Sequence, residues 1–300
     1  MNIQEYIPIQ EKPEDCAHFA KNIRTHIKNY IQEYSLQSLV LGISGGIDSA
    51  LCAALLKPVC EECNIPLIGR SITIETNQPD EIERSIKVGE NFCHDFEYLD
   101  LTQTFLENKK NLVGLDDTML SKLRQGNLKA RMRMMILYDL AQLHRGIVIA
   151  TDNFTEYLTG FWTLHGDVGD YAPMLHLWKT EVFALATHLL SEYNGNDLIS
   201  PSKFDGVSRF ARQGSLHEKQ REALQLCIDA VPVDGLGISS CDCEQLGVTD
   251  YFEADRLFVR YFSGETALEN HPLIKRYQQS HYKRNNPVVI MRCDVGVSAN

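Results

Sequence analysis

The 300-residue sequence carries 29 Lys and Arg against 40 Asp and Glu, a formal net charge of −11, with 44% hydrophobic and 23% charged residues. That composition belongs to an ordinary globular chain, long enough for one large α/β domain or two small ones but not for a second complete enzyme module beside a large one. The acidic balance excludes wrapping of duplex nucleic acid as the main activity, because neutralising phosphates needs a clustered excess of Lys and Arg.

Taken in chain order, Pro13 to Tyr34 places Ala17, Ala20, Ile23, Ile27 and Ile31 at helical spacing among Lys, Arg, Glu and Gln, which predicts an amphipathic helix. The apolar run Ser38 to Ile43 then predicts a strand, followed by a glycine pair and a helical stretch from Asp48 to Leu56. A second buried run, Pro66 to Ile74, precedes a helix starting near Gln78-Pro79-Asp80-Glu81, where Pro suits the first turn and carboxylates suit the positive end of the dipole. Phe96 to Leu101 predicts a third strand, Asn127 to Leu143 a strong helix, and Gly146 to Thr151 a fourth strand. The last third is mostly helical, with a Gly/Ser/Asp-rich loop at Asp234 to Cys243. The polar, turn-rich stretch from Ser191 to Gly214 reads as an insertion or a mobile loop.

Strands alternating with helices predict a doubly wound, mostly parallel sheet, since parallel neighbours need crossover connections. Ligands bind such sheets at the carboxyl ends of the strands, so the loops after Ile43 and Ala150 are where chemistry is expected. The N-terminus, Met1-Asn2-Ile3-Gln4-Glu5, lacks the basic and apolar regions of a signal peptide, and no window approaches the roughly 18 consecutive apolar residues of a membrane span. The nine scattered cysteines fit reduced thiols, so the expected location is the cytoplasm. Cys60-Glu61-Glu62-Cys63 and Cys241-Asp242-Cys243 have thiolate pairs that suit zinc, but a lone pair of this kind is a weak sign.

Ser44-Gly45-Gly46-Ile47-Asp48-Ser49 lies between a predicted strand and a predicted helix. Successive backbone N–H groups at a Gly-rich turn, a helix N-terminus and two hydroxyls make an anion cradle suited to phosphate or pyrophosphate. The loop lacks the Lys-Ser/Thr ending of a Walker A motif, which disfavours phosphoryl transfer of the kinase kind. Asp48 would repel phosphate unless Mg²⁺ bridges the two; its bland reading is a helix cap.

This string resembles the pyrophosphate loop of the N-type ATP pyrophosphatases, which adenylate a substrate oxygen, release pyrophosphate, and let a nitrogen or sulfur nucleophile displace AMP. Gln78 to Glu81, Gly126 to Met134, Thr151 to Glu156, Gly160 to Asp167, Lys179 to Val182, Glu244 to Gly247 and Tyr282 to Pro287 follow in the order and approximate spacing of the NAD synthetase family, over about residues 15 to 290. The resemblance implies a single domain over 1–300 with the adenine-nucleotide alpha-hydrolase-like fold and a helical C-terminal extension, with 191–231, longer than usual, as an insertion or mobile loop. It implies ATP contacts from Gly42, Ile43, Ser44, Gly45, Gly46, Ile47, Asp48, Ser49, Thr151 and Lys179, with Asp48 and Lys179 catalytic. Asp48 and Glu156 are implied as Mg²⁺ ligands, and Arg131, Asp170, Tyr282 and Lys283 as contacts to the dinucleotide.

The implied reaction is ATP-dependent amidation of deamido-NAD by ammonia, in a homodimer. The sequence has no recognisable Ser-His-Asp or Cys-His-Glu unit, so the nitrogen is expected as free ammonia or from a separate glutaminase. Departures stand against the pattern, among them Tyr282 in place of the common histidine before Lys283. Leu164 occupies a position where short bacterial members often carry a substrate-binding lysine, Val233 one where many carry an ATP-contacting threonine, and the loop Gly166 to Pro173 is shorter by a residue. They keep two alternatives open: a paralogue that amidates another carboxylate, such as nicotinate mononucleotide, or a nucleotide-binding regulator without chemistry.

Overall fold

The computed structural model describes residues 13–75, 77–116, 118–191, 216–230 and 240–284. Four parallel strands, β1 (Leu39–Gly42), β2 (Leu67–Thr73), β3 (Asp95–Asp100) and β4 (Ile147–Ile149), lie in the order β3-β2-β1-β4. Leu39 pairs with Leu67 on one side of β1 and with Ile147 on the other. The predicted doubly wound parallel sheet is what forms. Because the chain leaves β1 toward β2 and β3 and then returns to place β4 on β1's other flank, the winding reverses between β1 and β4. Connections that depart in opposite directions open a crevice at the carboxyl ends of these two strands.

Period-two alternation in β1 feeds two cores. Leu39 and Leu41 point into a layer of α1 (Pro13–Glu33), α2 (Ile47–Cys63) and α7 (Lys179–Ser191), whereas Val40 points to the face covered by α5 (Met119–Leu143), against Met134, Leu137 and Ala141. On α1 the buried positions are Cys16, Ala20, Ile23, Ile27 and Ile31, a single stripe as the spacing predicts. Helix α2 differs. Ala50 through Leu56 are buried all round, because α1, α3 (Pro79–Phe92) and α7 surround it.

Of the stretch expected as an insertion or mobile loop, 192–215 lies outside the described residues, but 218–229 is helix α8 (Glu218–Asp229). Its Ala223, Leu224 and Cys227 join the main core against α2, α3 and α7, so this part is packed structure. Most of the expected loop from Asp234 to Cys243, including Val233 just before it, lies outside the described residues; 240–246 is helix α9 (Ser240–Leu246).

A third core ties the C-terminal helices to the crevice. Phe154 and Leu158 of α6 (Phe154–Thr159) and Trp178 pack on Tyr251, Ala254 and Phe258 of α10 (Tyr251–Phe262) and on Leu273 and Ile274 of α11 (Pro272–Gln279). Phe154 meets Trp178 edge to face at a centroid distance of 4.8 Å. The carboxyl end of α6 is held from outside. Leu158 O accepts from Ser280 Oγ, Thr159 O from Arg276 Nε, and Gly160 O from Lys283 Nζ at 2.7 Å, Lys283 belonging to the short α12 (His281–Arg284). Cations on the last carbonyls complement the negative end of the helix dipole.

Gly160 closes α6 with φ +70°, and a Cβ built there would sit 2.4 Å from Cβ of Ser280. Gly160→Ala therefore combines left-handed strain with a clash against the element that caps α6, and is expected to destabilise the fold by about 2 kcal/mol. Urea unfolding of the variant beside the parent checks this.

Candidate active site

The loop between β1 and α2 builds the floor of the crevice. Gly45 has φ +84°, and an added Cβ would lie 2.3 Å from the carbonyl oxygen of Glu81, so both conformation and space demand glycine. Ser44 Oγ accepts from Gly46 N at 3.2 Å and lies 3.1 Å from Ser49 Oγ, which donates to Gly46 O at 3.0 Å. Arg84 of α3 ties the loop from above, Nε donating to Gly45 O at 3.0 Å. The loop is thus pre-formed, with α2's N-terminus directed to the crevice.

Asp48 in the first turn of α2 meets two elements from the far side of the crevice. Asn153 Nδ2 donates to its Oδ1 at 2.9 Å, and Lys179 Nζ pairs with its Oδ2. Lys179 Nζ also lies 3.6 Å from Glu156 Oε1, so one ammonium serves two carboxylates. Asn153 is the N-cap of α6 in a capping box, its Oδ1 accepting from Glu156 N at 3.0 Å. Capping chemistry therefore orients both Glu156 and the amide that holds Asp48. Tyr251 completes the group: its hydroxyl donates to Glu156 Oε1 at 3.2 Å, and its ring centroid is 4.7 Å from Lys179 Nζ.

The electrostatics follow from burial. Glu156 is pushed up to about 7 by desolvation and by the Asp48 charge, with Lys179 pulling the other way. Burial would lower the Lys179 pKa, but Asp48 and Glu156 outweigh it and the ammonium is held above its ordinary value. Asp152 is driven well above the carboxylate range by burial and by its neighbours Glu156, Asp167 and Asp48. Carboxylates outnumber the cation here, a field that draws a further cation.

Asp48, Lys179 and Tyr251 line a cavity of about 580 Å³, bounded also by Gly42 through Ile47, Thr151 and Gly166, with Glu156 behind them against Lys179 and Tyr251. A volume of this order suits a nucleotide-sized ligand. Two carboxylates gathered on one ammonium suit Mg²⁺, which typically takes one or two carboxylates and completes its shell with phosphate oxygens and water. Lys179 Nζ, seated between Asp48 and Glu156, marks where positive charge is stabilised.

With this geometry in place, comparison with known proteins decides the family. A sequence model described as NAD synthase matches residues 19–192. The chain belongs to the NAD synthase family. It is 33% identical over 218 residues to the NH(3)-dependent NAD(+) synthetase of Mycoplasma pneumoniae, covering 71% of this chain and 84% of that one. Against the enzyme of the same description from Thermococcus sibiricus identity is 31% over 173 residues, covering 57% of this chain and 65% of the relative, so that match spans somewhat under two thirds of the relative's length. The NMN synthetase structure from Francisella tularensis shares the fold, with a TM-score of 0.64 at 21% identity, over 93% of this chain and 98% of that one.

The residues the family resemblance implied fall into two groups. Ser44 to Ser49, Thr151, Glu156 and Lys179 converge around the crevice. The four assigned to the dinucleotide do not line this cavity. Arg131 is exposed, its Nε donating to Leu164 O at 3.2 Å. Asp170 Oδ2 accepts from Val148 N at 2.9 Å and pins the sheet edge, where Tyr171 bridges Ile149. Lys283 Nζ donates to Gly160 O and Trp162 O at the end of α6, and Tyr282 is 59% exposed.

Conversely, Arg84, Arg133 and Asp167 line the cavity without having been singled out. Arg133 follows Arg131 by two positions in the same motif, and a two-residue step on a helix rotates a side chain to another face. Its Nε donates to Ile72 O at 2.9 Å, fixing it over β2. Asn153 was signalled only by its place in the Thr151 to Glu156 motif, and Tyr251 by nothing beyond helix patterning. The Cys60 and Cys93 thiols are pushed upward by burial, Cys93 to about 12, which disfavours the thiolate; the Cys241 side chain lies outside the described residues.

Lys179→Met leaves Asp48 and Glu156 buried without their shared cation. A loss of about 3 kcal/mol is expected at pH 8. The sign follows from linkage: Glu156, whose folded pKa is already raised and which loses the lowering effect of Lys179, binds its proton more readily in the native state, so stability recovers as pH falls and the deficit at pH 5.5 is smaller. Denaturant melts at the two pH values read the difference.

Proposed function

We propose that this NAD synthase family member converts deamido-NAD, ATP and ammonia to NAD, AMP and pyrophosphate. The observation that carries the reading is the convergence of Lys179 on Asp48 of the Ser44 to Ser49 loop and on Glu156, with Asp48 and Lys179 lining the cavity beside that loop. A carboxylate is a poor electrophile because its leaving group would be oxide. In the proposed reaction the nicotinate oxygen bonds to the α-phosphorus of ATP and the bond to pyrophosphate breaks. Ammonia then attacks the acyl carbon, loses a proton, and AMP departs.

The protein's part is mostly electrostatic. The β and γ phosphates would rest on the N–H groups of the Gly45-Gly46 turn and the N-terminus of α2, with the Ser44 and Ser49 hydroxyls as donors. Lys179 is poised to trade its carboxylate partners for phosphate oxygen, compensating the charge that develops on pyrophosphate. Asp48 and Glu156 would hold Mg²⁺, which supplies charge neutralisation on the phosphates. Arg84 and Arg133 add positive charge to the cavity lining.

Homodimerisation is part of the proposal. Helix α5 leaves Met119, Leu120, Leu123, Met135 and Leu143 between 57% and 70% exposed, an apolar surface that association would cover. Arg131 lies on the same helix, outside the cavity. A second copy docked there would complete a dinucleotide site that one chain leaves open, and it accounts for Arg131 and Tyr282 being exposed. A cytoplasmic location fits ammonia supply from solution or a separate glutaminase; among the described residues no helix is long and apolar enough to cross a membrane.

Incubation with ATP, Mg²⁺, ammonium and deamido-NAD is expected to yield AMP and NAD in equal amounts, faster than nicotinate mononucleotide yields its amide. Absence of AMP formation from deamido-NAD sinks the proposal. Asp48→Asn is expected to lower kcat/KM by about 100-fold or more. Light scattering behind size exclusion should report twice the 34.1 kDa chain mass, and Leu123→Glu with Met135→Glu should shift it toward the monomer.

Because Glu156 titrates near 7 and must be ionised to bind a metal, Mg²⁺ affinity is expected to rise with pH between 6 and 8. Its slope should approach tenfold per unit below pH 7. Titration with Mn²⁺ as the spectroscopic substitute measures it.

A further inference from the structure

Asp255, on α10, is 2% exposed and touches neither the cavity nor the groups placed in the chemistry above. A carboxylate buried so deeply must be compensated at every lone pair, and its partners are specific. Oδ1 accepts from the hydroxyl of Thr155, and Oδ2 accepts from Thr180 N at 2.9 Å. The same Thr155 hydroxyl oxygen accepts from Lys179 N at 3.0 Å. The bonds therefore run from the Lys179 amide to Thr155, from Thr155 to Asp255, and from Asp255 back to Thr180. They join the first turn of α6, the first turn of α7 and the face of α10.

The two residues gripped on α6 and α7 are the immediate neighbours of the functional pair: Thr155 precedes Glu156, and Thr180 follows Lys179. We propose that Asp255 is a positioning residue that holds Glu156 and Lys179 at a fixed separation, an inference that rests on the roles proposed for those two residues.

Further observations favour positioning over simple burial. Tyr251 lies one helical turn before Asp255, on the same face of α10, and touches the side chains of that same pair, Glu156 through its hydroxyl and Lys179 through its ring. One helix face thus meets the main chain of α7 at Thr180 and the reactive ends of both side chains. The rest of α7's first turn is capped without Asp255, since Trp178 N donates to Glu181 Oε2 at 2.9 Å. A buried anion at the N-terminus of α7 adds attraction from the helix dipole. With its backbone anchored, Lys179 can pass from carboxylate to phosphate by side-chain rotation alone, while Glu156 stays in place. Misplacement of such a group by about 1 Å can cost 100-fold in rate.

Asp255→Asn keeps size and one acceptor for Thr180, but its amide group cannot accept the Thr155 hydroxyl proton. The expected result is a fall in kcat of about 10- to 100-fold and weaker Mn²⁺ binding in the presence of a non-hydrolysable ATP analogue by about tenfold. KM for deamido-NAD should stay within about threefold, since Asp255 and Thr155 bond to none of the residues proposed for the dinucleotide. Thr155→Val should reproduce the loss, and Thr155→Ser, which keeps the hydroxyl, should recover most of it.

A folded Asp255→Asn protein with kcat and Mn²⁺ affinity within about twofold of the parent overturns the inference. If that variant does not fold, Thr155→Val decides: unchanged kcat and metal affinity overturn it. Should the parent make no NAD from deamido-NAD, the functional reading fails, while Mn²⁺ and nucleotide binding of the same variants still decide the role of Asp255.

Discussion

One buried cation governs this molecule. Lys179 places its ammonium between Asp48 and Glu156, and the three side chains come from α7, α2 and α6, elements that meet only through the folded core. Each group alone would pay a desolvation penalty of several kcal/mol, so none is tenable without the others. The arrangement is also unsatisfied in an informative way. With Asp152 and Asp167 nearby, negative charge exceeds positive, and Glu156 holds its proton to about 7. A metal nucleotide would relieve that imbalance by bringing its own cation, so the protein's strain and its proposed affinity for ligand have one origin.

The topology makes this convergence inevitable once the sheet forms. Reversal of winding between β1 and β4 turns the loop after β1 and the start of α6 toward each other across a crevice. The aromatic core of Phe154, Trp178 and Phe258 then sets α7 and α10 against α6. Basic side chains on the terminal carbonyls of α6 hold its far end. Helix α6 is thereby clamped at both ends, by Asn153 and Thr155 at its N-terminus and by Arg276 and Lys283 at its C-terminus. A short helix without strong propensity of its own keeps Glu156 in place only through such external partners.

How much of this was legible in the sequence depends on the range of the interaction. The Ser44 to Ser49 loop, the stripe on α1 and the start of α3 at Pro79 rest on contacts within a few residues, and all appear as read. Asp48, Glu156 and Lys179 were reachable through motif order. Less legible were positions where local pattern and tertiary fate part company. Arg131 and Arg133 are indistinguishable by type, yet Arg133 alone of the two faces the cavity. The end of the stretch expected to be an insertion or mobile loop is α8, packed on the main core, because a polar, turn-rich neighbourhood conceals the single stripe formed by Ala223, Leu224 and Cys227.

The sequence by itself determined the sheet class, the glycine-rich turn after β1 and the family, because strand and helix periods and turn chemistry are set by neighbours along the chain. Only the tertiary structure decided which charges share an environment. Lys179 and Asp48 are 131 positions apart, and Thr155 and Asp255 are 100 apart. Nothing local distinguishes Asp255 from a solvated helix carboxylate. Its role follows from burial, which removes water as a competitor and leaves the Thr155 hydroxyl and the Thr180 amide as its partners.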